Sequence, residues 1–218
     1  MAKDLAIVLN NGTLNSAVAT AIAAQKHRPI LLCGQVMDMT GTRARAAYDQ
    51  QVAHFKPYRE HTLSMPFLSA VQASAPQMPA MPDPRFQPAI SPALMELLPL
   101  VALAGRFAAH YQASAIYLGL RVGTGTDELA RATEFGQVWN ELIQLPCDRA
   151  EIELLMPLLE LEPWQVVDLG FQVGAPFDKT WSCTADGPEP CWACRGCRGR
   201  EAAFQQAGKG DPLRAPKR

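Results

Sequence analysis

"LAIVLNNGTLNSAVATAIAAQ", Leu5 to Gln25, decides the fold. Leu5 to Leu9 form a continuous apolar run, the pattern of a strand buried on both faces. A short polar turn follows. Ser16 to Gln25 then reads as an Ala-rich helix, with Val18 and Ile22 on its packed side. A strand, a tight turn and a helix can hold phosphate, because the first helical turn offers free N–H groups and the positive end of the helix dipole. The candidate loop is Asn11, Gly12, Thr13, Leu14, Asn15 and Ser16. It contains one glycine and no acidic residue. Asn11-Gly12 is not a hairpin turn, because a helix and not a strand follows.

Working outward, strands and helices alternate. Pro29 to Cys33 predicts a second strand, Thr42 to Phe55 a helix, and His61 to Met65 a third strand. Ser74 to Pro92, "SAPQMPAMPDPRFQPAISP", carries too many prolines for regular structure and reads as a long loop or lid. Ala93 to Tyr111 returns to a long apolar helix. Ala115 to Leu120 predicts a strand, Glu128 to Gln144 a helix, and Ile152 to Leu155 another strand. Pro163 begins a short helix ending near Gly170, with proline in its first turn. This order predicts an α/β fold, an open and mostly parallel sheet with helices on both faces. Ligands of such sheets bind at the carboxyl ends of the strands, where the opening loop lies.

A net charge of −1 across 218 residues argues against nucleic-acid binding through a global basic field. No window offers a long apolar span free of proline and charge, and the start lacks a signal-peptide core, so a cytoplasmic protein with no membrane partner is expected. Six cysteines are present, and four of them, Cys183, Cys191, Cys194 and Cys197, fall within fifteen residues. The spacing C-x7-C-x2-C-x2-C lets four thiolates converge on one tetrahedral ion and close its shell, as in a structural zinc site. An iron–sulfur cluster is the competing reading. Cys33, inside a strand, and Cys147, after Pro146, read as small packed residues. Arg195, Arg198 and Arg200 border the cluster and read as a solvated helix face before contacts to RNA or DNA. The four histidines form no evident ligand or catalytic pair.

"TWSC", then C-x2-C-x2-C, then a helix ending "FQQAG", resembles the C-terminus of the 7-cyano-7-deazaguanine synthases, queuosine-pathway, ExsB-type members of the PP-loop ATP pyrophosphatases. "FQVGAPFDKTWSC", Phe171 to Cys183, is similar to that family's approach to its zinc site, and "CGQ" at 33–35 to the segment after its second strand. "NGTLNSAVATAIA" occupies the place of its SGGLDS-type pyrophosphate loop. The resemblance implies an adenine nucleotide α-hydrolase type sheet over residues 1–180 and a small zinc-binding segment and tail over 181–218. It also implies structural zinc, ATP with magnesium, and conversion of 7-carboxy-7-deazaguanine to the nitrile with ammonia, the carboxylate being activated by adenylation.

Several positions depart from the family pattern. Thr13 stands for a loop glycine and, being β-branched, is expected to resist positive φ. Asn15 stands for an aspartate that helps hold magnesium, keeping its shape and losing its charge. Asn15 or Ser16 is expected to cap the helix. "AISPALMELLPL" replaces an Arg-Asn pair, Gly119-Leu120-Arg121 a Gly-x-Asn pattern, Ala132-Thr133-Glu134-Phe135 an Arg-Pro-Glu-Phe segment, and Glu162-Pro163 a Ser-Lys pair. Arg121, Arg131 and Lys179 are the candidate replacement cations. The losses fall on the ligand site and spare the core and the cysteines. They predict a degenerate relative that holds a nucleotide, a deazapurine or a protein partner. The alternatives are an active ligase and a loop that is architecture alone. A homo-oligomer is left open.

Overall fold

The computed structural model describes residues 3–35, 42–68, 92–123, 127–145 and 152–214. Its strands are β1 (Leu5–Leu9), β2 (Arg28–Gln35), β3 (Arg59–Ser64), β4 (Ala115–Leu118) and β5 (Glu153–Leu155). Its helices are α1 (Leu14–Lys26), α2 (Arg43–Phe55), α3 (Pro92–Tyr111), α4 (Asp127–Gln144), α5 (Pro163–Gln172) and α6 (Arg195–Gln206). The strands form one sheet in the order β3-β2-β1-β4-β5, every pair parallel. The order reverses direction at β1, which lies at the centre. Ile7 stands in register with Ile30 on one side and with Ile116 on the other.

The apolar run of β1 is unbroken because both of its faces are covered. Ile7 and Leu9 join Ile30, Leu32, Ile116 and Leu118 on the face packed by Val101, Ala104 and Ala108 of α3 and Ile143 of α4. Ala6 and Val8 join Leu31, Cys33 and Tyr117 on the opposite face, under Ala23 of α1 and Tyr48 of α2. A third cluster joins Leu14 and Val18 of α1 to Val166 and Val167 of α5, Phe177, and Ala203 and Phe204 of α6. Through it the C-terminal helix shares a core with the helix that follows the candidate loop. Arg200 of α6, expected on a solvated helix face, is almost wholly buried, which corrects that expectation. Its charge is met by Asp211, with Nε 2.7 Å from Oδ2 and Nη2 2.8 Å from Oδ1. It also donates to the carbonyl of Phe177 and the hydroxyl of Thr180. Burial of such an arginine is tolerable only with this full set of partners.

Some boundaries differ from the sequence reading. β3 occupies 59–64 and β4 ends at Leu118. At Gly119 the chain leaves the sheet beside α1, where an added Cβ would stand 2.9 Å from the carbonyl oxygen of Asn15. A glycine there lets β4 approach the start of α1. Pro163 opens α5 behind a capping box made by Glu162 and Gln165. Of the proline-rich segment, Pro92 opens α3, and residues 74–91 lie outside the described residues, as does Cys147. Cys33 is buried as expected.

Candidate functional site

The candidate loop is anchored by a buried polar knot. Asn10 follows β1 and is 2% exposed, yet its amide meets partners on every side. Its Nδ2 donates to Thr20 Oγ1 and to Gln51 Oε1, each at 2.9 Å. Its Oδ1 accepts from the Gly12 amide at 2.8 Å and the Ser16 hydroxyl at 3.2 Å. Gln51, from the buried face of α2, donates through Nε2 to the carbonyls of Gly12 at 3.0 Å and Lys179 at 2.9 Å. The Trp181 amide donates to the same Gly12 carbonyl at 3.0 Å. The loop is therefore tied to β1, to α2 and to the approach of the cysteine segment. Sequence reasoning missed Asn10, Thr20 and Gln51. The available signals were a polar residue closing an apolar strand, and a glutamine sharing the α2 stripe with Ala47 and Tyr48.

Gly12 sits at φ +81°, where a Cβ would meet the Ala44 carbonyl oxygen at 2.6 Å and the Tyr48 amide at 2.9 Å. Only glycine fits both the conformation and the approach of α2. Thr13 lies at φ −80° in extended backbone, so its β-branch meets no positive φ, and the expectation that it would resist the loop is corrected. The expected cap is corrected too. Thr13 is the N-cap residue, and Asn15 and Ser16 lie inside the first turn of α1. Ser16 Oγ instead holds the loop: its one proton is shared among Asn10 Oδ1, Asn11 Oδ1 and the Thr13 carbonyl, which lie 3.0–3.2 Å away. Thr13 Oγ1 also donates to Asn11 Oδ1 at 2.8 Å. Among the described residues the amides of Leu14, Asn15 and Ser16 have no acceptor, and they form the free N-terminal turn that the sequence predicts.

Facing this turn is a cavity of about 300 Å³ at the carboxyl ends of β1, β2 and β4. One wall is polar, with Asn11, Thr13, Asn15 and Ser16; the other is built of leucines from the sheet and α3. Among its described lining residues Glu96 is the one charged side chain, and no cation lines it. Of the three candidate replacement cations, Arg121 lines a second cavity that shares Thr13 and Asn15 with the first. Lys179 is paired with Asp178 at 3.1 Å. Arg131 lies on α4 and lines neither cavity.

The structure brings the four predicted cysteines together. The sulfurs of Cys183, Cys191, Cys194 and Cys197 all lie within 4.8 Å of one another. Cys183 Sγ is 3.4 Å from Cys191 Sγ and 4.0 Å from Cys194 Sγ. Four sulfurs bound at about 2.3 Å to one tetrahedral ion stand about 3.8 Å apart, so the spacing fits a single ion. A cluster that binds each thiolate to a different iron would need them further apart. Main-chain amides face the sulfurs: those of Ala185 and Cys191 donate to Cys183, that of Cys194 to Cys191, and that of Cys197 to Cys194. Such bonds spread the charge of a thiolate set. Backbone hydrogen bonds at Thr184 and Cys197 pull the Cys194 thiol down to about 5, whereas burial pushes the Cys197 thiol up to about 12.

A parallel sheet reversing at its first strand, with a loop and helix start at the switch point, defines an open α/β class of the doubly wound kind. The family described as "Queuosine biosynthesis protein QueC" matches residues 5–208, and the chain belongs to that family. It is 25% identical to the 7-cyano-7-deazaguanine synthase of Acidobacterium capsulatum over 97% of this chain and 96% of that one. It is 27% identical to that of Chloroherpeton thalassium over 95% of each chain. A 34% likeness to the Koribacter versatilis synthase spans 52% of this chain, and 48%, about half, of that relative's length. Among solved structures, the U34-tRNA thiolase NcsA from Methanococcus maripaludis with its [4Fe-4S] cluster superposes with a TM-score of 0.46 at 11% identity, covering 94% of this chain and 64% of the thiolase. No helix among the described residues is long and apolar enough to cross a membrane.

Two outcomes follow from this geometry. Replacing Gln51 by Leu leaves the Lys179 carbonyl and part of Asn10 buried without partners. Urea unfolding should show a loss of about 2–4 kcal/mol, and amide exchange at Gly12 to Ser16 should speed up; unchanged stability would contradict the knot. Metal uptake by the cysteines must displace the Cys197 proton at neutral pH. Uptake should therefore release protons, and metal affinity should fall as pH is lowered, because only thiolates bind. Titration of the metal-free protein in two buffers of different ionisation enthalpy measures this, and a pH-independent affinity would contradict it.

Proposed function

We propose that the protein is a 7-cyano-7-deazaguanine synthase-like homologue that holds a nucleotide or deazapurine ligand at the loop and runs the family reaction inefficiently. The observation that carries this reading is the charge of the loop cavity. Its described walls contain Glu96 and no cation, and Asn15 occupies the first turn of α1 where the resemblance implies a carboxylate. Polyphosphate with magnesium requires cations for the phosphate and hard anionic oxygens for the metal. Electrostatic stabilisation of developing charge is the largest single contribution in most such sites, and loss of one well-placed group lowers turnover about 10²–10³-fold. In this reading the cysteine cluster holds zinc in a closed, structural shell, chosen over iron–sulfur because the sulfur spacing suits one ion. Residues 1–180 supply the ligand site and residues 181–218 the metal-binding segment. In this reading the protein works in the cytoplasm.

A second reading, an active ATP-dependent ligase converting 7-carboxy-7-deazaguanine and ammonia to the 7-cyano product, is favoured by one observation. The loop keeps its working shape, with positive φ at Gly12 and free amides at Leu14, Asn15 and Ser16 among the described residues. The zinc-loaded protein, assayed for the nitrile beside the Acidobacterium capsulatum synthase, should turn over at least ~100-fold more slowly. Asn15→Asp should recover part of the rate, about tenfold, by restoring an anionic magnesium ligand. Turnover equal to that of the relative would establish the second reading.

A further inference from the structure

Five of the eight large apolar side chains exposed among the described residues lie on α3 and α4. Met95 and Leu98 stand on α3, Val138 and Leu142 on α4, and Leu145 just after it. Leu145 is 81% exposed and Val138 55%. Scattered exposed leucines need no explanation, but a cluster of them on two neighbouring helices marks an interaction surface. The face is grooved. A depression of about 550 Å³ runs between the helices, walled by Ala102, Gly105 and Ala109 of α3 and by Trp139 and Leu142 of α4. No described element packs over it, and it lies across the sheet from α1 and α2.

The shape of this face is complementary to itself. Each of the two helices links strands of one parallel sheet, so both run back against the strands and parallel to each other. Their relative height is set at Gly105, where an added Cβ would stand 3.5 Å from Ile143. Small residues of α3 therefore stand within a turn of large ones on α4: Ala102 near Val138, Gly105 near Leu142, Ala109 near Leu145. A two-fold axis along the groove sets α3 of one copy opposite α4 of the other at the same height. Branched side chains then meet the hollows left by glycine and alanine, on both sides of the axis. Charge obeys the same symmetry. Arg106 on α3 and Glu141 on α4 are level within a turn and exposed, and neither has an ion-pair partner among the described residues. The axis sets each Arg106 against Glu141 of the other copy, which places opposite charges at the rim of an apolar patch. Two helices about 30 Å long and about 10 Å wide offer roughly 600 Å² per copy, close to the ~800 Å² per partner of a standard interface.

We propose that this face joins two copies of the chain, α3 of each packing on α4 of the other. Such association is independent of nucleotide binding and of the family reaction. Sedimentation velocity of the zinc-loaded full chain over a wide range of concentration, with light scattering for mass, measures it. A reversible rise towards twice 23.8 kDa is expected. Val138→Glu and Leu145→Glu, singly, should each weaken association at least about tenfold, because each buries a charge against the partner's small residues. Both positions are exposed, so the fold survives the change. Trp164→Glu, an exposed apolar site on α5, should leave the association unchanged. Arg106→Glu and Glu141→Arg should each weaken it about tenfold by setting like charges opposite one another. Combined in one chain they should restore it to within about threefold, a rescue that non-specific apolar association does not give. Melting temperature and zinc content check that each variant is folded. A chain that stays monomeric at every concentration would overturn the proposal. So would a dimer indifferent to Val138→Glu and Leu145→Glu, or a combined charge variant no better than the single ones.

Discussion

The carbonyl oxygen of Gly12 accepts two hydrogen bonds, one from the buried amide of Gln51 and one from the Trp181 main chain. That oxygen joins three elements remote in sequence: the loop after β1, the inner face of α2, and the strand of chain leading to the cysteines. Buried polar groups in so dry a setting are costly unless all are satisfied, and Asn10, Thr20 and Ser16 complete the set. The loop is held at several points, and the cysteine segment starts beside it.

The shape of the loop and its charge have parted company. Gly12 keeps the left-handed turn and α1 keeps its free N-terminal amides, so the geometry for an anion persists. The side chains around it do not complement polyphosphate: leucines, asparagines and one glutamate line the cavity. Helix-terminus amides alone supply a fraction of a charge, and the nearest described guanidinium groups, Arg121 and Arg195, line the neighbouring cavity. Preserving a backbone scaffold is a packing constraint, enforced by the shared core of α1, α5 and α6. Preserving charge is a functional one. The contrast between backbone and lining charge is the ground of the proposed function.

The sheet was legible because parallel strands covered on both faces read as unbroken apolar runs, as Leu5–Leu9 and Ala115–Leu118 do. The cysteine cluster was legible because its ligands are local and their spacing carries the geometry. Boundaries such as the end of β4 were not, since the close approach of Gly119 to Asn15 is a tertiary fact. Thr13 misled because the sequence does not reveal which loop position takes positive φ. Gln51 was hidden for a similar reason: a glutamine on a helix looks solvent-facing until Asn10 and Gly12 are placed against it. The convergence of Arg121 and Arg195, 74 positions apart in the chain, is likewise invisible before the fold is built.

The central claim is that the loop keeps the form of a pyrophosphate loop without the charges that magnesium–ATP requires. Calorimetric titration of the zinc-loaded protein with ATP, with and without magnesium, tests it most directly. The account predicts that magnesium does not strengthen binding, whatever affinity the free amides of α1 provide. Tight binding that depends on magnesium would contradict it and would mean that groups outside the described walls rebuild the site.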